Sequence, residues 1–249
     1  MKVAQEKKVK GEATIRMGGV TGGKMPVSLC IEGPDGRAMP LIEQGVQLPK
    51  TYSNVFTPTG SYQMSAYLHL VLGNRPWVAD CKDLCTVRHN EGSFQMAGRA
   101  RYRLTVKVTS GGRVSVSSEN LSLKSKKSGE INVPTEEIPA SEVEALIVDA
   151  RNNADDDALS RERYETMAEI VEKLGAIHDE QWPLAKRKMS FNERRGYKQC
   201  RKKMLNLLKQ GPSEIGQSQM STLIALDREL DAWREKLTAR ADQVASWYK

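Results

Sequence analysis

The sequence predicts an antiparallel β-sandwich followed by an α-helical bundle. Three observations carry this. Between residues 26 and 75, apolar and polar residues alternate in short runs broken by Pro and Gly, the pattern of strands with one buried face. Gly111-Gly112 lies between two more alternating runs, a hairpin signal. Beyond Pro134 the period changes: Val143, Leu146, Ile147 and Ala150 recur at helical spacing, as do apolar residues in three later stretches.

Residues 1–24 are polar, Lys-rich at the start and Gly-rich at the end (Gly18, Gly19, Gly22, Gly23), which reads as a flexible N-terminal arm. Strands are expected at 27–32, 39–43, 52–56, 65–72, 101–108, 114–119 and 130–133. Turns are marked by Pro34-Asp35-Gly36, Thr59-Gly60-Ser61 and Ser110-Gly111-Gly112. Together they make a sandwich domain over 25–133, with alternate positions buried between two sheets. Residues 134–140 read as a linker bounded by Pro134 and Pro139, and 141–249 as a helical domain. Ser141 and Glu144 are spaced as a capping box. A second helix carries Met167, Ile170, Val171, Leu174 and Ile177 and is expected to end at Trp182-Pro183. The third spans 192–209 with Tyr197, Cys200, Met204 and Leu208 inward, and Gly211-Pro212 breaks it. The last begins at Ser213, and Leu223, Leu226, Leu230, Trp233, Leu237, Val244 and Trp247 form its seam.

Composition narrows the function classes. The 249 residues hold no apolar run able to span a bilayer, and the Lys-rich start lacks the apolar core of a secretory signal. A cytoplasmic location with no membrane partner is expected. Of the four cysteines, Cys81 and Cys85 are spaced one residue wider than a zinc knuckle pair and no second pair accompanies them, so buried reduced thiols are expected. His69, His89 and His178 are scattered, and no nucleophile elbow, His-Glu-x-x-His pair or phosphate-binding Gly-rich loop is present. Asp155-Asp156-Asp157 lacks the Gly and terminal Glu of a calcium loop. The expectation is a chain that is not an enzyme, with no ATPase or other catalytic motif and no bound metal.

The net charge of +7 is unevenly spread: 136–180 is strongly acidic and 181–210 strongly basic. Within 186–203, nine Lys and Arg residues crowd around Phe191 and Tyr197. Such a segment attracts phosphates. An acidic helix beside it would neutralise it, so nucleic acid is the less favoured partner.

The order of residues in the sandwich resembles one family, the heat-shock protein 70 (DnaK-type) chaperones, in their C-terminal substrate-binding region. The resemblance rests on Pro26-Val27-Ser28-Leu29-Cys30-Ile31-Glu32, on Leu41-Ile42 with Leu48-Pro49, on Ser53-Asn54-Val55-Phe56-Thr57, and on Leu68-His69-Leu70 followed by Gly73-Asn74-Arg75. It resumes over 104–118 and runs weakly into the helix at 141–157. The stretch Gly19-Val20-Thr21-Gly22-Gly23 stands where the family has a leucine-rich linker to its ATPase domain.

The resemblance implies a groove for extended peptides, lined by Ile31, Phe56, Ala66, Leu68, Tyr102 and Leu104. Pro34 and Thr59 would arch over the peptide, and Gln63 would flank it. Ala66 for a larger residue, Tyr102 for an aliphatic one and the Pro34–Thr59 arch imply a preference shifted toward aromatic or larger side chains. The helices would form a lid. The implied partners are unfolded or nascent polypeptides, with a separate ATPase chain or co-chaperone. No cofactor is expected on this chain, and ATP would act only through a separate ATPase domain or chain. The alternatives are a module recognising one fixed partner protein, or nucleic-acid binding through 186–203.

Overall fold

Alternate residues of the strands point into one shared apolar core, which holds two six-stranded sheets together. The structure, a computed structural model, describes residues 7–33, 35–57, 63–95, 100–122, 127–212 and 214–245. Contacts divide the chain into two units, Met1–Ala154 and Asp155–Lys249.

The first unit contains β1 (Lys7–Lys10), β2 (Glu12–Met17), β3 (Leu29–Glu32), β4 (Ala38–Ile42), β5 (Lys50–Phe56), β6 (Gln63–Leu72), β7 (Lys82–Gln95), β8 (Tyr102–Val108), β9 (Arg113–Asn120), β10 (Lys127–Ser128), β11 (Glu130–Val133) and β12 (Glu137–Ile138), then helix α1 (Ala140–Asn152). One sheet runs β1-β11-β7-β6-β3-β4; the other runs β12-β2-β9-β8-β5, with β10 also paired to β9. All the pairings are antiparallel except β12 with β2. The antiparallel sandwich and the helices that follow it match the predicted class.

The chain before residue 24 departs from the flexible arm that was expected. Residues 7–17 form two strands, one in each sheet. The six residues of β2 alternate strictly between exposed and buried, and Ala13, Ile15 and Met17 enter the core. β2 pairs with β9, about a hundred residues away, so its partner is invisible to a local reading. A Cβ on Gly18 would lie 2.5 Å from the Ala140 nitrogen, so only glycine lets this backbone pass the start of α1. The 134–140 linker is likewise tied down: Glu137 and Ile138 pair with Arg16 and Met17, and the Ile138 side chain is fully buried.

β7 was not expected as a strand. Its inward residues are Cys85, Val87 and His89, and a buried histidine breaks the apolar alternation a sequence reading relies on. α1 belongs with the sandwich, burying Val143 and packing Leu146 and Ile147 on its core. Its cap is Pro139 without a side-chain bond, so the Ser141–Glu144 box does not form. Arg75 reaches Asp149 of α1 at 3.2 Å, and Lys82 reaches Glu142 at 2.7 Å.

The second unit holds α2 (Ala154–Ala176), a π-helical turn (Ile177–Gln181), α3 (Trp182–Ala185), α4 (Phe191–Leu207) and α5 (Gln217–Ala245). Pro183 starts a helix instead of ending one, at a position where its missing N–H costs no bond. The capping box forms at α4, where the Ser190 hydroxyl accepts from the Glu193 N–H and the Glu193 carboxylate from the Ser190 N–H. Leu223, Leu226, Leu230 and Leu237 of α5 are buried against Tyr197, Cys200 and Met204 of α4. The Val244 side chain and Trp247 lie outside the described residues. Lys173 bridges Asp227 and Asp231 at 2.8 and 2.9 Å. Burial would lower its ammonium pKa, and the two carboxylates more than offset that.

Candidate peptide-binding corner

β3, β5, β6 and β8 bring most of the expected site residues to one end of the sandwich. Ile31 stands opposite Leu70, Ala66 opposite His89, Leu68 opposite Val87, and Phe56 opposite Tyr102. Ile31, Ala66, Leu68, Tyr102 and Leu104 are buried members of one cluster, with Phe56 half-buried against it. Pro34 and Thr59 lie outside the described residues; Gln63 opens β6, with its side chain outside them.

Backbone geometry matters most here. β3 stops at Glu32 and pairs only with Leu70, Val71 and Leu72 of β6. From Gln63 to His69, β6 is paired with β7 on one side and, among the described residues, with nothing on the other. β5 is the edge strand of the facing sheet, with Phe56 at its end. An open edge of this kind presents N–H and C=O groups in the spacing of an extended chain.

The interior of this corner is more filled than the sequence suggested. Tyr102 is fully enclosed, its ring centroid 4.6 Å from that of His89. His89 Nε2 lies 2.9 Å from the Ser118 hydroxyl. Tyr102 is thus part of the packed interior, in contact with the His89 that stands opposite Ala66. His89 and Ser118 were missed because both read as surface residues. The inward phase of Cys85 and Val87 was the one signal pointing to His89.

Other chemistry-bearing groups sit apart. His69 of β6 places one ring nitrogen 2.7 Å from Glu32 and the other 3.0 Å from Asp83. All four cysteines are reduced thiols. Burial pushes Cys30 and Cys85 up to about 12, with Cys81 adding to the shift at Cys30, and pushes Cys200 up to about 11. A hollow of about 900 Å³ opens elsewhere, beside β1, β2 and the β8–β9 turn. No helix among the described residues is long and apolar enough to cross a membrane.

The family model of the Hsp70 protein matches residues 22–240. The chain belongs to the Hsp70 family. Similar curated proteins include a chaperone protein HscA homolog of Neisseria meningitidis serogroup B, 28% identical over 153 residues, which is 61% of this chain and 24% of that protein. A chaperone protein DnaK of Mycoplasmoides gallisepticum is 28% identical over 157 residues, covering 61% of this chain and 26% of its own length. The chaperone protein HscA of Escherichia coli is 27% identical over 154 residues, covering 62% and 25%. This Hsp70 chain thus spans about a quarter of the length of the curated relatives it matches.

Membership corrects two expectations. Hsp70 chaperones are ATP-hydrolysing enzymes, so the reading of a non-enzyme without an ATPase, and of a chain with no cofactor of its own, is overturned by the match. The grounds were a resemblance confined to the substrate-binding region and the absence of catalytic motifs, among them the Gly-rich phosphate loop. That motif is one way among several for a backbone to hold phosphates, and its absence carries no weight against a family match. Among the described residues no group of three His, Cys, Asp or Glu side chains is placed to hold a metal ion.

Proposed function

We propose that this Hsp70 chain captures short extended apolar segments of unfolded or nascent polypeptides at the corner where β3 stops short of β6. The observation that carries the reading is the β6 edge from Gln63 to His69, without a strand partner on that side among the described residues, beside the half-buried Phe56. Main-chain bonds along that edge hold any sequence, and the apolar corner takes one side chain. With Tyr102 enclosed at this corner, the side chain accepted is aliphatic. Burying a Leu contributes about 1.5–3 kcal/mol, which suits weak and promiscuous capture. The reduced thiols suit the cytoplasm as the setting.

The test is fluorescence anisotropy with a labelled Leu-rich heptapeptide and a panel of unrelated apolar peptides. Several binders, with Kd on the order of 1–100 μM, are expected. Phe56→Ser weakens them several-fold, and N-methylation of alternate peptide amides removes binding. One strong binder in the panel would favour a fixed-partner module. Unchanged affinity after N-methylation would remove the β6 edge from the reading.

A further inference from the structure

The helical unit carries a cationic face that the sequence alone suggested would be neutralised. In the structure it is not. Arg194, Arg195, Lys198, Lys202 and Lys203 of α4 make no ion pair among the described residues. Several carboxylates that could serve them are engaged elsewhere. Lys173 holds Asp227 and Asp231; Glu193 is held by its own cap and by Arg240; Glu229 accepts from the Trp233 indole.

Helical spacing sets Arg195, Lys198 and Lys202 on the side of α4 away from its buried Tyr197, Cys200 and Met204, with Arg194 and Lys203 on the two flanks. Phe191, Lys198, Lys202 and Leu205 follow at steps of seven, four and three residues, a stripe about 21 Å long. Phe191 is 70% exposed, far more than an aromatic ring gains from packing. It borders a shallow hollow of about 390 Å³ with Arg194, Arg195, Lys198 and Lys202.

A second hollow, of about 480 Å³, adjoins it between α3 and α4. Its floor includes Trp182, stacked on Tyr197 with ring centroids 4.7 Å apart. Lys198, Arg201, Lys202 and Lys209 line it, and neither hollow is lined by a carboxylate. The Nε of Arg201 is enclosed and donates to no acceptor among the described residues.

Cations that track a path, alternating with aromatic faces, are the arrangement that holds a single nucleic-acid strand: the phosphates meet the cations and the bases stack. An acidic peptide would use the same cations but would leave Phe191 and the Trp182 platform without a role. We propose that α4 and the adjoining α3 hollow form a binding site for single-stranded nucleic acid. The site lies wholly within the helical unit and does not rest on the peptide-binding reading.

The experiment is anisotropy of fluorescein-labelled dT12 with the full chain, from 50 to 200 mM salt, with decaglutamate as the competing probe. Binding at low salt is expected, and a log–log salt slope of about −3 follows if four side chains neutralise phosphates. Lys198→Glu with Lys202→Glu weakens dT12 at least tenfold, and Phe191→Ser weakens it several-fold; all three positions are exposed, so the fold is retained. Decaglutamate competes at least tenfold more weakly than unlabelled dT12. Absence of binding at 50 mM salt overturns the site, as does equal competition by decaglutamate or indifference to the charge reversals.

Discussion

His89 of one sheet and Tyr102 of the other meet across the sandwich interior with their ring centroids 4.6 Å apart and their planes tilted by 30°. The contact joins β7 to β8 at the end of the sandwich where the candidate peptide-binding corner lies, and His89 is anchored by Ser118 at 2.9 Å. Tyr102→Ala is expected to destabilise the protein by about 3–5 kcal/mol, the range for a buried aromatic ring. A double-mutant cycle with His89→Ala should return a coupling of about 0.5–1.5 kcal/mol in urea unfolding. Additive effects would mean that the two rings are merely neighbours.

Tyr102→Val is a separate probe of the corner. It returns an aliphatic residue to a position where the ring now fills the interior. In the peptide panel, affinity should shift from Leu-bearing toward Phe-bearing peptides. An unaltered preference would show that Tyr102 does not set the depth of the pocket.

Arg75 ties α1 to the sandwich through Asp149 at 3.2 Å, and lies 3.8 Å from Asp80, with only 15% of its side chain exposed. Arg75→Ala should cost about 1–3 kcal/mol, since hydrogen bonds to charged groups lie in that range and partial exposure discounts a full buried pair. Hydrogen exchange is the direct readout: α1 amides should lose protection while those of β8 and β9 keep theirs.

His178 gives the helical unit a pH dependence. Its burial lowers the imidazole pKa, Arg201 adds to the shift, and Asp179 opposes it. The unfolded chain then takes up this proton more readily than the folded one. The contribution of His178 is complete above about pH 6.5 and is lost as pH falls through the lowered folded value. Thermal melts of the native chain should fall between pH 6.5 and 5 more steeply than those of His178→Gln. Parallel curves would exclude the histidine as the source.

Thiol reactivity should rank by burial. Cys30, Cys85 and Cys200 are buried with pKa values pushed to about 11–12, so little thiolate forms at neutral pH. Cys81 is half-buried. Brief treatment with a maleimide followed by peptide mass spectrometry should find Cys81 labelled first. Prior labelling of Cys200 would show that the helical unit opens more readily than its packing implies.

Local pattern was enough for seven strands and for the change to helices after residue 140, while the grouping of Ile31, Phe56, Ala66, Leu68, Tyr102 and Leu104 came from the family resemblance. Side-chain alternation is a property of neighbouring residues, so it can be read without knowing any partner. What it could not show was pairing at a distance. β2 became a strand because β9 offered an edge, and Ile138 is buried because β2 stands beside it. Tertiary packing also decided that His89 points inward, that Tyr102 fills its own pocket, and that α4 keeps its cations exposed while Asp227 and Asp231 turn to Lys173. Each of these depends on which distant group occupies the space within a few ångströms, a quantity that sequence spacing does not contain.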